Sequence, residues 1–147
     1  MYKHVLIPTD GSPVGTKAVK AGIDLARALK AKVTILTVVR PFHVYGLGAD
    51  AVAEPESEHP RREDEDHDLE DTRLAQEAAE ALGVQAGHVT AEDDHLSHAV
   101  IHAARSRGCD LVVMPAHDRI GMLGRSHVDS ETVRLLAESE LPVLVLH

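Results

Sequence analysis

A chain of 147 residues, 44% apolar and 27% charged, has the composition of one folded domain and is too apolar to be disordered. Its formal net charge of −9 argues against non-specific nucleic-acid binding, which needs a basic face, and the single cysteine excludes an intramolecular disulfide. No apolar run approaches the ~20 residues needed to span a bilayer. With one Phe, two Tyr and no Trp, the core must be built from Ala, Val, Leu and Ile, which suits a parallel sheet under alanine-rich helices.

Met1 to Val5 leads straight into a strand with no leader-like segment, so a reducing, cytoplasmic location is expected. Val5-Leu6-Ile7 is a β-branched run that ends at the turn signal Pro8-Thr9-Asp10-Gly11-Ser12. A helix follows, capped by Asp10 or Ser12, with Pro13 in its first turn and Val14, Ala18, Ala21, Leu25 and Leu29 at helical spacing. Lys32 to Val39 is the clearest strand. From Pro41 to about Asp66 no periodicity is sustained, and the stretch is expected to be a long connection carrying the acidic cluster Glu63-Asp64-Glu65-Asp66. Leu69, Ala75, Ala78, Ala79 and Leu82 mark a second helix that Gly83 stops. A weak strand spans Val84 to Ala91. A third helix runs from about Ser97 to Arg107 and stops at Gly108, and Cys109 to Met114 forms the next strand. A polar loop, a fourth helix over about Ser130 to Ser139 and a final strand over Pro142 to Leu146 complete the chain.

This βα alternation implies one doubly wound domain over 1–147, with a parallel sheet covered by helices on both faces. In such sheets ligands bind beyond the carboxyl ends of the strands, where the strand order reverses. The loop after the first strand, the end of the second and the loop after the fourth should meet there.

Those segments carry a family resemblance. His4-Val5-Leu6-Ile7-Pro8-Thr9-Asp10-Gly11-Ser12 is similar to the opening of universal stress proteins. Cys109 to Met114, His117 and the ending Leu141-Pro142-Val143-Leu144-Val145-Leu146 resemble their closing block. The resemblance implies a flavodoxin-like α/β fold, of the adenine-nucleotide α-hydrolase type, with five parallel strands in the order 3-2-1-4-5. It also implies a homodimer through the last strand, Val143, Leu144, Val145 and Leu146, whose apolar edge needs covering. In many members an adenine nucleotide such as ATP, with Mg, sits at the switch point. The corresponding positions here are Pro8, Thr9 and Asp10 after the first strand, Val38, Met114 and His117, and Arg119, Arg125, Ser130 and Thr132 beyond.

The family's phosphate loop has the form G-x-x-G, about nine residues, then G-[ST], because glycine lets backbone N–H groups approach an anion at a helix N-terminus. This chain has Pro115-Ala116-His117-Asp118 and then Asp129-Ser130. Pro115 removes a donor, and Asp118 and Asp129 place carboxylates where phosphates would lie. The expected protein is therefore a non-enzymatic regulatory dimer, requiring no cofactor, with weakened or altered adenine-nucleotide binding and a protein partner the sequence does not name. The alternative is an ATP-binding sensor, with slow hydrolysis, in which Arg119, Arg125 and Ser130 replace the glycine cradle. No triad order or G-x-S-x-G elbow points to catalysis.

Several residues have plain structural readings. His98 and His102 share a helix face, but Val100, Ala103 and Ala104 supply the core side, so the histidines should face water and no metal site is expected. His117 suits orienting its loop by a hydrogen bond. Asp10 suits helix capping as well as ligand contact. Cys109 suits burial as a small apolar residue.

Overall fold

The protein was described from a computed structural model, which covers residues 1–9, 13–39, 61–115, 118–120, 126–128 and 130–146. The elements run β1 (His4–Thr9), α1 (Pro13–Leu29), β2 (Lys32–Val39), α2 (Arg61–Ala81), β3 (Ala86–Glu92), α3 (Leu96–Arg107) and β4 (Leu111–Pro115). They continue through β5 (Asp118–Ile120), β6 (Ser126–Val128), α4 (Ser130–Glu138) and β7 (Val143–Leu146).

The main sheet has the order β3-β2-β1-β4-β7, all parallel. This is the expected 3-2-1-4-5 arrangement, with β7 as the fifth strand. The central strands β1, β2 and β4 are buried on both faces, as β-branched runs inside a parallel sheet must be. On one face Val5, Ile7, Val33, Ile35, Leu111 and Val113 pack with α1 and α2 residues such as Val19, Ile23 and Ala79. On the other, Leu6, Leu36, Val112 and Met114 pack with Val100 and Ala104 of α3 and Leu135 of α4. Cys109 is buried on this second face as expected, and burial, reinforced by Asp110, pushes its thiol up to about 11.

Three expectations about local structure need correction. Helix α2 begins at Arg61, within the stretch expected to be a connection. Its first turns carry Arg and Glu, which are good helix formers, and Asp and Glu, whose charge is favoured near a helix N-terminus, without an apolar period to betray them. The presumed polar loop after β4 contains an antiparallel hairpin, Asp118 opposite Val128, Arg119 opposite His127 and Ile120 opposite Ser126. Three-residue strands are too short to show a period. The buried side of α1 is Gly15, Ala18, Val19, Gly22, Ile23 and Ala26, whereas Ala21 is exposed. Ala78 on α2 is exposed too, and Thr72, which bonds Thr37 Oγ1 at 3.0 Å, takes a buried position. The stops at Gly83 and Gly108 hold, both glycines adopting positive φ.

Gly22 explains how closely α1 lies on the sheet. A Cβ there would stand 2.5 Å from Ile7 Cδ1 and 3.0 Å from Ile7 Cγ1, and Ile7 is fully buried. Gly22→Ala should therefore destabilise by about 1 kcal/mol, because overpacking costs about 1–3 and the gain in helix propensity returns about 1. The urea midpoint measures it, and a rise in midpoint contradicts this packing account.

Candidate functional site at the carboxyl edge of the sheet

The chain leaves β1 for β2 on one side and returns to β4 on the other, so the switch point lies between β1 and β4. These strands pair at Val5 with Leu111 and Leu6 with Val112. They then run on to Thr9 and Pro115. Pro8 and Pro115 have no N–H to give to a ladder, which favours separation of the two strands at this edge. On the other side, β1 stays paired with β2 to its end, Pro8 with Leu36 and Thr9 with Thr37, so Val38 and Val39 of β2 project past β1. Asp93 N–H donates to Val39 O at 3.1 Å and continues that rim.

Helix α4 supplies the remaining part. Ser130, its first residue, is exposed, and Thr132 in the same turn is fully buried, with no hydrogen-bond partner for its hydroxyl among the described residues. A buried hydroxyl without a partner forgoes its usual compensation, so a group that meets it there is favoured. The helix start itself carries a partial positive charge.

Of the residues singled out in the sequence, Pro8, Thr9, Val38 and Met114 lie at carboxyl ends of adjacent strands, and Ser130 and Thr132 at the α4 start. Val38 and Met114 pack in one apolar cluster with Leu135 of α4. Met114 is only 1% exposed, so neither its thioether nor its backbone is open at this edge. Arg119 lies in the hairpin strand β5. Asp10, His117, Arg125 and Asp129 lie outside the described residues.

Sequence reasoning missed Glu131. Helix α3 has His95 at its N-cap without a side-chain cap bond. Glu131 of α4 supplies the acceptor instead, its Oε2 receiving both Ser97 N–H and Ser97 Oγ–H at 3.0 Å. Its other oxygen lies 3.5 Å from Arg134 and 3.4 Å from His95 Nδ1. The Ser97 N–H, against some opposition from desolvation, leads the interactions that hold this carboxyl below its usual range. The partner is distant in sequence, so no local spacing could reveal the bond. An acidic residue in the first turn of α4 was the only signal available.

The exposed histidines behave as expected. His98 and His102 face solvent. The His95 and His98 rings meet edge to face with centroids 5.1 Å apart. Arg134 stands 3.2 Å from His95 Nδ1, which places a cation already beside that ring. Among the described residues no group of three metal-ligating side chains forms. No described helix is long and apolar enough to cross a membrane.

Comparison with known proteins agrees with this architecture. The Universal stress protein family model matches residues 1–147. A universal stress protein of Methanocaldococcus jannaschii is 30% identical over 146 residues, covering 99% of this chain and 82% of its own length. The crystal structure of a universal stress protein family member from Burkholderia pseudomallei superposes with a TM-score of 0.69 at 25% identity, covering 99% of this chain and 96% of that one. A universal stress protein solved in complex with cAMP superposes with a TM-score of 0.70 at 22% identity, covering 99% and 97%. With the three sequence blocks in place and the family match running from end to end, this chain belongs to the universal stress protein family.

Proposed function

We propose that this protein is a non-enzymatic, cytoplasmic regulator of the stress response that acts as a homodimer and binds adenine nucleotides weakly at the carboxyl edge of its sheet. The observation that carries this reading is the hairpin β5–β6. It occupies the stretch where the family has its glycine loop, and its antiparallel pairing commits backbone groups that an anion cradle needs open. A neighbour bound to cAMP supports an adenine compound as the ligand class. Isothermal titration with Mg-ATP tests the reading. A Kd weaker than about 100 μM is expected, equivalent to less than about 5.5 kcal/mol of binding. A Kd in the low micromolar range overturns it.

The unpartnered Thr132 hydroxyl at the start of α4 favours a second reading, an ATP-binding sensor in which Ser130, Arg119 and Arg125 replace the glycines. That reading requires the low-micromolar result.

The dimer rests on β7. It pairs with β4 on one side and ends the sheet order, with Leu144 40% exposed and Val133 and Leu136 of α4 exposed as well. An apolar edge strand invites pairing with a second copy. Leu144→Lys is expected to convert the dimer to a monomer in light scattering while leaving the circular dichroism unchanged. A monomeric mass for the natural chain contradicts the dimer directly.

A further inference from the structure

We propose that the amino edge of the sheet, opposite the candidate site, is a docking surface for a short acidic segment of a partner protein. The inference stands apart from the nucleotide reading and uses none of its residues.

Three stretches of chain meet at that edge. Lys32, the first residue of β2, donates its N–H to Lys3 O at 3.0 Å, just before β1 begins. On the other side of β1, Asp110 N–H donates to His4 O at 2.9 Å and brings the end of α3 alongside. Lys3, Lys30, Lys32 and Arg107 are all exposed there. Among the described residues none of these four side chains has an ion-pair partner. The carboxylates of the same edge are engaged. Asp110 accepts the Lys3 and His4 N–H groups at 2.8 and 2.9 Å, and Glu140 pairs with Arg105 at 3.2 Å.

Basic residues in the last turn of a helix commonly serve only to offset its partial negative charge. That accounts for Arg107 but not for Lys3 and Lys32, which lie at strand starts. Lys30 adds an independent sign. It holds φ 55°, in the left-handed region, at the turn that ends α1. The equivalent stops of α2 and α3 are glycines, Gly83 at 78° and Gly108 at 66°. Lysine is disfavoured in that conformation, and a residue kept against its backbone preference points to a use for its side chain.

The remaining charge selects the partner. The chain carries −9 overall, so the surface beyond this cationic edge is strongly anionic. A DNA duplex, with one charge per ~1.7 Å, extends past the patch and meets that repulsion. An anionic bilayer does the same. A short acidic segment ends where the bases end and meets attraction alone.

The test is fluorescence anisotropy of a labelled octaglutamate peptide with the full chain, beside an octaglutamine peptide and a DNA duplex. Octaglutamate is expected to bind best of the three at low salt and to lose about tenfold in affinity at high salt. Lys3→Gln with Lys32→Gln should weaken it about tenfold at low salt. Lys17→Gln with Lys20→Gln, on exposed positions in the first half of α1, should leave it unchanged. Lys30→Gly should weaken binding while holding or raising the urea midpoint, a split that a purely structural lysine does not give. Circular dichroism checks that the Lys3 and Lys32 pair folds, and Lys30→Gly decides the matter if it does not. Absence of octaglutamate binding at low salt, an equal loss in both lysine pairs, or tighter binding of the duplex overturns the inference.

Discussion

Replacing Asp118 and Asp129 together by glycine is expected to tighten Mg-ATP binding about 10- to 100-fold. Two effects combine. A carboxylate within ~4 Å of a phosphate repels it by about 1 kcal/mol in water and about 4 at the lower effective dielectric of a protein surface, and each 1.4 kcal/mol is a factor of ten. Glycine is also a poor strand former, so the ladder between β5 and β6 weakens at the end where Asp118 faces Val128, freeing backbone N–H groups for an anion. The paired Asp118→Asn and Asp129→Asn variant separates these effects, since it removes the charges and keeps the side chains. A gain in the asparagine pair equal to that in the glycine pair assigns the loss to charge alone. If neither pair gains affinity over the natural chain in calorimetry, the substituted loop is not what limits nucleotide binding.

Asp110 is the position where a single side-chain truncation should cost most for its size, about 2–3 kcal/mol. Its Oδ2 accepts Lys3 N–H at 2.8 Å and its Oδ1 accepts His4 N–H at 2.9 Å. Its own N–H donates to His4 O at 2.9 Å. One residue therefore clamps the start of β1 to the start of β4, and hydrogen bonds to a charged acceptor contribute about 1.5–3 kcal/mol. Asp110→Ala leaves two N–H groups without their acceptor, and the urea midpoint should fall accordingly. A loss below about 0.5 kcal/mol would show that water replaces the carboxylate freely.

The same site predicts a pH dependence. Burial by itself would raise the Asp110 carboxyl, but the His4 and Lys3 N–H groups outweigh it and hold it below its usual range. A lowered folded pKa means the folded state binds its proton less readily than the unfolded chain. The associated stability is complete above the unfolded value of about 4 and is lost as pH falls through the lower folded value. His4 acts at higher pH. Burial, helped by the charge of Lys32, depresses its pKa, and its Nε2 sits 2.8 Å from Thr34 Oγ1. Stability should therefore begin to decline as pH falls below about 6.5, with Asp110 and Glu131 adding a second loss below about 4. Denaturation midpoints across that range should show both phases in the natural chain, with the lower one reduced in Asp110→Ala. A flat profile from pH 7 to 5 contradicts the assignment of the first phase to His4.

The sheet was legible because its strands are short β-branched runs bounded by glycine, proline and charged residues, and their order followed from a family resemblance carried by three blocks. The helices were harder to phase. Alanine and glycine pack α1 against the sheet, and such small residues give a shallow apolar signal, so the buried side is shifted from the spacing of Ala21 and Leu25 towards that of Gly22 and Ile23. The start of α2 was hidden because its first turns have helix-forming charged residues and no apolar face. The hairpin was hidden by the shortness of its strands. At the candidate site, the sequence supplied the strand ends and the altered glycine pattern. It could not supply Glu131 on Ser97 or Asp110 on Lys3, because both are contacts between residues far apart in the chain, and nothing local to either partner announces the other.

The bond between Glu131 and Ser97 has a mechanical consequence. The residue that follows Ser130 in the candidate site also terminates the neighbouring helix, and below it Leu135 is locked among Val100, Ala103 and Ala104 of α3. Helices α3 and α4 are thus joined at their starts by a hydrogen-bonded carboxylate and along their flanks by apolar packing. A displacement of the first turn of α4 therefore strains the Glu131–Ser97 bonds unless α3 moves with it. Val133 and Leu136 of α4 face away from that contact and are exposed.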